Sequence, residues 1–258
     1  MIQSADLVAA QGGPALVLCM KWGTKFGPEY VNRLHAMVRR NLSRPLRFVC
    51  LTEDEVGFHP DVEVLPLPDV GWTEGIREHG WWKVGLFSES LGDLSGPALF
   101  LDLDVVVVDA LDPLFDQPDE VLVPRDYRRL RVRGDTFVGN TSVLRFPVGK
   151  YPEVMDEFRR DFPAIRRRVR NEQEFLSHHF HGRGLLGYWP SEWCPSFKRH
   201  CVAPWPLSHL RTPRLPAGSR VVVFHGRPNP EEALAGRGGR WYRPIRPTPW
   251  VADYWRDA

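Results

Sequence analysis

Short apolar runs alternate with polar turns and amphipathic segments along the first half of the chain. The runs at 15–20, 46–51 and 62–67 have the length and composition of strands. Between the first two, apolar residues at helical spacing follow Pro28 and predict a helix over 29–41. A strand, a helix and two further strands in this order indicate an α/β fold with a parallel, doubly wound sheet.

The most apolar stretch runs from Pro97 to Val108 and contains only two polar residues, Asp102 and Asp104. It predicts a buried central strand. Because side chains alternate along a strand, both carboxylates would point to the same side. Buried carboxylates are costly unless a cation compensates them, and hard divalent cations prefer carboxylate oxygens. The plainer alternative is that one aspartate caps a loop and the other lies exposed at a strand end.

The remaining segments are predicted to be helices and short strands, followed by a loop-rich tail. We predict helices over 81–91, 151–162 and 171–180, strands over 120–124 and 220–224, and a turn that enters a strand over 136–146. Asn171 would cap the third helix, and His225 follows the last strand. Short strands or loops are predicted at 184–189 and 193–197. We expect one domain over 1–258, with a loose lead-in at 1–13 and a tail at 236–258 that packs on it.

Composition fits a protein of this class. A length of 258 residues suits one large α/β domain, and a hydrophobic content of 43% supplies its core. A formal net charge of +2 gives no indication of nucleic-acid binding. The four cysteines include no C-x-x-C pair, which argues against a zinc site, and Cys19 and Cys50 are expected in the core. The sequence contains no signal peptide or membrane span, so a cytoplasmic protein is expected.

Two groups of arginines, at 125–133 and 159–170, have two interpretations. They are solvated faces of a loop and a helix, or they contact an acidic acceptor or the anionic inner face of a membrane. Solvated faces are the commoner case, so peripheral membrane contact is not favoured.

Several polar residues follow predicted strands and should lie near one another. In open α/β sheets, ligands bind outside the carboxyl ends of the strands. The loop 21–25, Thr52, the aspartates Asp102 and Asp104, and His225 would meet there. A histidine at a strand end is weak evidence on its own. Two carboxylates and an imidazole, however, would leave room on a divalent cation for phosphate oxygens and water.

Several motifs in this order resemble those of GT-A-fold, metal-dependent nucleotide-sugar glycosyltransferases, in particular the group of glycogenin and bacterial lipopolysaccharide galactosyltransferases. They are WKVGLF at 82–87, LDLD at 101–104, NTSVL at 140–144, EQEFL at 172–176, and His225-Gly226. The chain departs from the family pattern at three places. Glutamates replace the acids of its Asp-Gln-Asp segment, Ser142 stands where a glycine is usual, and Arg227-Pro228-Asn229-Pro230 replaces its Lys-Pro-Trp.

The resemblance implies a single GT-A-like α/β domain with a mixed, mostly parallel central sheet and helices on both of its faces. It also implies a nucleotide-sugar donor, most commonly a UDP-sugar, and Mn²⁺ or Mg²⁺. Asp104 would be the main metal ligand, Asp102 would bind the metal and the ribose, and His225 would be the third protein ligand. The ion would stabilise the departing diphosphate. Lys83 would hold the donor sugar or the phosphates, and Arg227 would replace the missing phosphate-binding lysine. The alternative interpretations are that Lys83 is a surface lysine and that Arg227 is a solvated loop arginine.

The resemblance also places residues around the transferred sugar. Gln173 would lie under the anomeric carbon, and Glu172 would bind the donor sugar or the acceptor. The alternative interpretation is that both are ordinary residues in the first turn of a helix. Asn140 would bind the donor sugar or serve as a turn residue. Four further residues complete the expected donor-binding set: Lys21, Trp22, Thr52 and Gly226.

Two other functions stay open. A strand followed by Asp-x-Asp is also found in haloacid-dehalogenase-like phosphohydrolases, where Asp102 would be the nucleophile. A non-catalytic protein that binds nucleotide sugars is the second alternative. For a transferase, the acceptor is unknown, and a carbohydrate or a glycolipid would suit it. Retention and inversion at the anomeric carbon are both open, because only inversion requires a carboxylate base.

Overall fold

The computed structural model describes residues 13–74, 76, 78–117, 121–127 and 136–257. Most of the expected N-terminal lead-in and most of the first arginine group, including Arg128, Arg129, Arg131 and Arg133, lie outside these ranges.

A seven-stranded mixed sheet forms the centre of the fold, with the order β3-β2-β1-β4-β7-β6-β8. Its strands are β1 (Ala15–Lys21), β2 (Leu46–Thr52), β3 (Glu63–Leu65), β4 (Gly96–Leu101), β6 (Val121–Val123), β7 (Val143–Val148) and β8 (Leu186–Tyr188). The first four strands are parallel to one another, and β7 runs antiparallel to β4. The predicted mixed, mostly parallel sheet is confirmed.

Helices cover both faces of this sheet. On one face lies α1 (Pro28–Arg40), whose apolar residues pack with those of β1 that point the same way, such as Val17 and Cys19. On the other face lie a 3-10 helix (Glu78–Phe87), α3 (Glu153–Arg168) and α4 (Glu172–His181), packed with Leu16 and Leu18. Short helices complete the described structure: α2 (Asp112–Phe115), α5 (Pro230–Leu234) and α6 (Trp250–Tyr254).

The prediction of one strand through the two aspartates is wrong. Strand β4 ends at Leu101, residues 102–104 form a turn, and the chain resumes as β5 (Val105–Val107). This strand leaves the central sheet and pairs antiparallel with β9 (Val221–Val223) in a second, two-stranded sheet. The turn moves both carboxylates out of the strand interior, while the valines stay buried against β9. Alternation along a strand therefore does not decide where Asp102 and Asp104 point.

The other predicted elements differ from those in the structure mainly in helix type and length. The segment predicted as a helix over 81–91 is the 3-10 helix, and α3 continues beyond 162 to Arg168 across a kink at Asp161, close to Pro163. Part of the predicted loop after 193 forms a π-helix (Phe197–Cys201). The predicted helix α1 and the Asn171 cap of α4 are confirmed, since the Asn171 side chain accepts a hydrogen bond from the Glu174 N–H.

The C-terminal segment packs on the same face as α1. Its buried residues Ile245, Val251 and Trp255 belong to the core that contains Val31 and Leu34. Cys19 and Cys50 are buried free thiols, as predicted. Among the described residues, no helix is both long and apolar enough to span a membrane.

Candidate active site

Three adjoining cavities lie at the carboxyl ends of β1, β4 and β9. The acidic cavity, about 390 Å³, contains Asp102, Asp104 and Glu172. The middle cavity, about 370 Å³, shares Gln173 with the acidic cavity and is also lined by Asn140 and Gly226. The basic cavity, about 360 Å³, shares Lys198, Arg199 and His225 with the middle cavity. Shared lining residues connect the three into one candidate site.

Lys83 lies close to two acidic side chains of the acidic cavity. Its buried amine lies 2.7 Å from Oδ1 of Asp102 and 3.8 Å from Oε1 of Glu172. Burial alone would lower the pKa of Lys83, but the two carboxylates outweigh that effect and raise it. The WKVGLF segment thus places a charged lysine inside the site. Lys83 lies on the 3-10 helix, Asp102 lies in the turn that follows β4, and Glu172 is the first residue of α4.

Asp104 lies beside this network, and the charges of Lys25 and Lys83 act on its carboxylate from a distance. Its side chain is buried, and no described side chain forms a hydrogen bond or an ion pair with its carboxylate. Burial, together with the charge of Asp102, raises the pKa of Asp104 to about 7. A buried carboxylate in this state is a strong acceptor for a cation.

Backbone contacts determine which way the Gln173 amide faces. The Ser142 N–H donates to Oδ1 of Asn140 at 3.0 Å, so the amino group of Asn140 faces Gln173. That amino group lies 2.9 Å from Oε1 of Gln173, and the Thr141 N–H donates to the same oxygen at 3.3 Å. Two donors therefore fix the oxygen of Gln173 on the protein side. The amino group of Gln173 has no partner among the described residues and is left to donate into the cavity.

Asn140 and Thr141 connect the strand side of the site to α4. Asn140 closes a turn through its own side chain and also orients Gln173. The turn is one of the two roles predicted for this residue. The Thr141 hydroxyl donates to Oε1 of Glu172 at 3.1 Å. Burial raises the pKa of Glu172, and Lys83 opposes that rise. The NTSVL and EQEFL segments thus form one hydrogen-bonded unit.

His225 is held at the border of the middle and basic cavities. The Oγ of Ser196 lies 2.7 Å from its Nε2, and its ring stacks on Tyr127 with centroids 5.5 Å apart. The N–H of Phe224, the preceding residue, donates to the carbonyl oxygen of Asp104 at 3.3 Å. Pairing of β5 with β9 thus links the acidic turn to the segment that carries His225.

The residues present fit a divalent cation as a two-carboxylate site. Asp104 is a buried carboxylate that forms no ion pair with any residue the structure describes, and Asp102 is near enough to raise its pKa. Within the described ranges, no group of three or more His, Cys, Asp and Glu side chains lies together as a metal site. The structure therefore does not group His225 with the two aspartates, and its assignment as third ligand stays a prediction. A hard cation held by two carboxylates would complete its coordination with phosphate oxygens and water.

The other predicted donor-binding residues have mixed surroundings. Lys21 and Trp22 line the acidic cavity, and the amine of Lys21 lies 3.5 Å from Asp54. Thr52 is buried and closes a turn by accepting from the Asp54 N–H and donating to its carbonyl oxygen. Arg227 lines the basic cavity, but its guanidinium is paired with Glu232.

Sequence reasoning missed Lys198, Arg199 and Ser196. They lie in or next to the π-helix, and the short strand or loop predicted at 193–197 includes Ser196 but ends before Lys198 and Arg199. Their nearness to His225 arises from contacts between distant segments, including the stacking of Phe197 on Phe224 at 4.4 Å. No local pattern marks them. Lys25, which also lines the acidic cavity, falls within the loop 21–25 that was expected near the site.

Solved structures of glycosyltransferases have the same fold. The galactosyltransferase LgtC, in complex with donor and acceptor sugar analogues, aligns with a TM-score of 0.61 and 18% identity, over 83% of this chain and 88% of that chain. Mouse xyloside xylosyltransferase 1 aligns with 0.54 and 13%, over 84% of this chain and 98% of that one. GlyE from Streptococcus pneumoniae gives 0.56 and 13%, over 84% of this chain and 56% of that one.

No protein-family model matches the chain, and a search of curated sequences gives no significant match. The structural alignments show that the chain has the GT-A fold and resembles LgtC, which confirms the fold predicted from the motifs.

Proposed function

We propose that this chain is a glycosyltransferase that transfers a sugar from a nucleoside diphosphate, with UDP as the expected nucleotide, to a hydroxyl group of an acceptor. The observation that carries the proposal is the convergence of Lys83, Asp102, Glu172 and Gln173 on one cavity at the carboxyl end of the sheet. The GT-A fold supports it, because the structures that share this fold are glycosyltransferases. LgtC was crystallised with donor and acceptor sugar analogues, which supports the same two substrate classes here.

The reaction exchanges one bond at the anomeric carbon for another. The bond from that carbon to the oxygen of the β-phosphate breaks, and its electron pair stays on the phosphate oxygen. The acceptor oxygen forms the new bond and loses its proton, either to the leaving phosphate or to a carboxylate. The protein must therefore stabilise negative charge on the departing diphosphate and orient two hydroxyl-rich substrates.

Asp102 and Asp104 are proposed to hold a divalent cation, Mn²⁺ or Mg²⁺. When bound, such a cation supplies Lewis-acid stabilisation of the departing diphosphate. The basis is the buried, unpartnered carboxylate of Asp104 beside Asp102. His225 is retained in the proposal as a residue facing the phosphates, since it lies at the border of the two cavities beyond the acidic one.

Gln173 is proposed to donate a hydrogen bond to the donor sugar or to its glycosidic oxygen. Its oxygen already accepts from Asn140 and Thr141, so the amino group is the atom available to substrate. Another solved LgtC structure, at a TM-score of 0.56 and 15% identity, is an active-site mutant in which a glutamine is replaced by glutamate. That glutamine belongs to LgtC. It supports testing whether Gln173 has a role in the active site of this chain.

Lys83 and Glu172 are proposed to bind hydroxyls of the donor sugar. Lys83 lies 2.7 Å from Asp102 and 3.8 Å from Glu172, and carboxylates accept strong hydrogen bonds from sugar hydroxyls. The middle cavity, which Gln173 shares with the acidic one, is the proposed acceptor site for a carbohydrate or glycolipid.

The phosphohydrolase alternative is less well supported. The predicted nucleophile Asp102 is ion-paired with Lys83 at 2.7 Å, and the solved structures that share the fold are transferases. The non-catalytic alternative differs from the proposal only in turnover, so an activity measurement separates the two.

A melting-temperature screen with nucleoside diphosphates, each with and without Mn²⁺, tests the proposal. A ligand that binds only the folded state raises the melting temperature by mass action. We expect one nucleotide, UDP first, to raise it strongly only when Mn²⁺ is present. Release of that nucleotide from its sugar conjugates, followed by chromatography, then identifies the sugar. Hydrolysis of phosphate esters without any nucleotide-dependent shift would contradict the proposal.

A further inference from the structure

The basic cavity contains positive charge that the fold does not fully compensate. Five lysine and arginine side chains line it beside His225, and no acidic side chain does so among the residues that the structure describes. Three of the five already have protein partners, which are Glu232 for Arg227, the Tyr242 hydroxyl for Arg240 and the Val202 carbonyl for Arg243. The other two, Lys198 and Arg199, have no side-chain hydrogen bond or ion pair in the described ranges.

Lys198 differs from Arg199 in its surroundings. Arg199 is exposed, so water solvates its charge, whereas the side chain of Lys198 is half-buried. Burial lowers the pKa of Lys198, and the charges of Arg199 and Arg240 lower it further, while the charge of Asp104 opposes them without reversing the direction. A half-buried ammonium among other cations is unfavourable without an anion, which indicates that the cavity is built to receive one.

The fold fixes Lys198 against the segment that follows β9. Phe197 stacks on Phe224, and Ser196 lies within hydrogen-bonding distance of His225, so the two residues that precede Lys198 are both held to this segment. A side-chain carbon placed on Gly226 would lie 3.6 Å from the amine of Lys198. The amine therefore lies beside His225-Gly226, where the middle and basic cavities meet.

We propose that Lys198 binds the diphosphate of the nucleotide-sugar donor and stabilises it as it departs; this inference rests on the proposed function. A lysine ammonium is a compact charge that suits phosphate oxygens. As the bond between the anomeric carbon and the phosphate oxygen breaks, the electron pair remains on that oxygen. Lys198 keeps its proton and stabilises the added charge electrostatically.

This assignment replaces Arg227 as the phosphate-binding residue. Arg227 follows His225 closely in the sequence, which is why the motif suggested it. Its guanidinium is exposed and engaged by Glu232 through two of its nitrogens. An anion would have to break that pair to bind Arg227, whereas Lys198 forms no ion pair within the described part of the chain.

Titration calorimetry with inorganic pyrophosphate tests the proposal, because this probe carries a diphosphate but no base or sugar. The full chain is measured with EDTA and separately with Mg²⁺. We expect Lys198→Gln to weaken pyrophosphate binding about tenfold or more in both conditions. Lys150→Gln is the matched control, since Lys150 is an exposed lysine in the turn after β7, outside the three cavities. Melting temperatures verify that each variant folds.

Two further variants separate charge from position. Lys198→Arg keeps the charge and should retain most of the affinity. Arg227→Gln should cost less affinity than Lys198→Gln. Wild-type affinity in Lys198→Gln would overturn the proposal. A loss in Arg227→Gln as large as that in Lys198→Gln would do the same, and so would an equal loss in Lys198→Arg.

Turnover of nucleotide sugars distinguishes failure of this inference from failure of the proposed function. Pyrophosphate binding that depends on Lys198, in a protein that cleaves no nucleotide sugar, would support the anion site and overturn the transferase. Cleavage of a nucleotide sugar by the wild type, with pyrophosphate affinity unchanged in Lys198→Gln, would overturn only the role of Lys198.

Discussion

The acidic and basic cavities adjoin the same middle cavity but differ in how their charges are compensated. In the acidic cavity, Lys83 contacts Asp102 and lies near Glu172, and Thr141 supports Glu172. In the basic cavity, Lys198 has no anionic partner among the described residues. The first arrangement is assembled before any ligand arrives, apart from the carboxylate of Asp104. The second becomes electrostatically complete only with an anion.

This difference separates the residues that maintain the geometry of the site from those that bind substrate. A preassembled network fixes geometry and contributes to the stability of the fold. A charge without a partner contributes affinity for a ligand at the expense of stability. The predictions below test this division, starting with the largest expected effect.

Asp104→Asn should reduce sugar transfer at least about a hundredfold, because it removes one of the two carboxylates proposed to hold the divalent cation. Steady-state kinetics with a nucleotide-sugar donor measure the effect, with Asp109→Asn as an exposed control. Transfer at the wild-type rate in Asp104→Asn would place this residue outside the reaction.

The same substitution should change the pH dependence of stability in the metal-free protein. The pKa of Asp104 is raised to about 7 in the folded state, so the wild type loses stability as pH rises from about 4 through 7. Asp104→Asn removes that loss. In EDTA, its melting temperature should exceed that of the wild type by more at pH 8 than at pH 5. A constant difference across this range would contradict the burial of an uncompensated carboxylate.

Lys83→Met should destabilise the fold by about 3 kcal/mol and reduce transfer as well. It leaves Asp102 and the buried Glu172 without their shared cation, which is the costly way to break a buried ion pair. Urea unfolding gives the free energy, and Lys150→Met is the exposed control. Loss of activity with unchanged stability would mean that Lys83 serves substrate alone and that the network does not support the fold.

Gln173→Glu should leave the fold intact and reduce transfer about ten- to a hundredfold. Asn140 and Thr141 can still donate to a carboxylate, so the protein contacts survive. The amino group that faces the cavity is lost. The comparison of kcat with melting temperature measures this, and an unchanged kcat would show that no substrate atom accepts from Gln173.

Thr141→Val should have the smallest effect. It removes one hydrogen bond to Glu172, which contributes about 1 kcal/mol, and leaves Lys83 near the same carboxylate. A modest fall in unfolding free energy with near-normal transfer is expected. A loss of transfer as large as that of Gln173→Glu would mean that Glu172 must be held as firmly as Gln173.

Much of the fold could be predicted from sequence because its elements are local. Strand β1, helix α1 and the Asn171 cap each depend on residues within a few positions of one another. The strand through Asp102 could not be predicted correctly, since apolar runs look the same whether they remain in one sheet or turn into another. The partner of β5 is β9, which is distant in sequence.

The same reasoning explains what was found and missed at the site. Lys83, Asp102 and Glu172 were identified through motifs, and the structure brings them together. Their roles toward substrate stay predictions. Lys198 carries no motif, because only the packing of Phe197 on Phe224 places it beside His225. Residues positioned by long-range packing require the folded structure to be seen.

The pairing of β5 with β9 has a consequence during protein synthesis. It joins Asp104 to Phe224, two residues that are 120 positions apart in the chain. A nascent chain that has emerged from the ribosome only as far as residue 200 has the acidic turn but neither β9 nor His225. Such a chain would have to leave the apolar face of β5 uncovered until the later segment is made. Fragments that end before Val221 should therefore be aggregation-prone and unable to form the basic cavity.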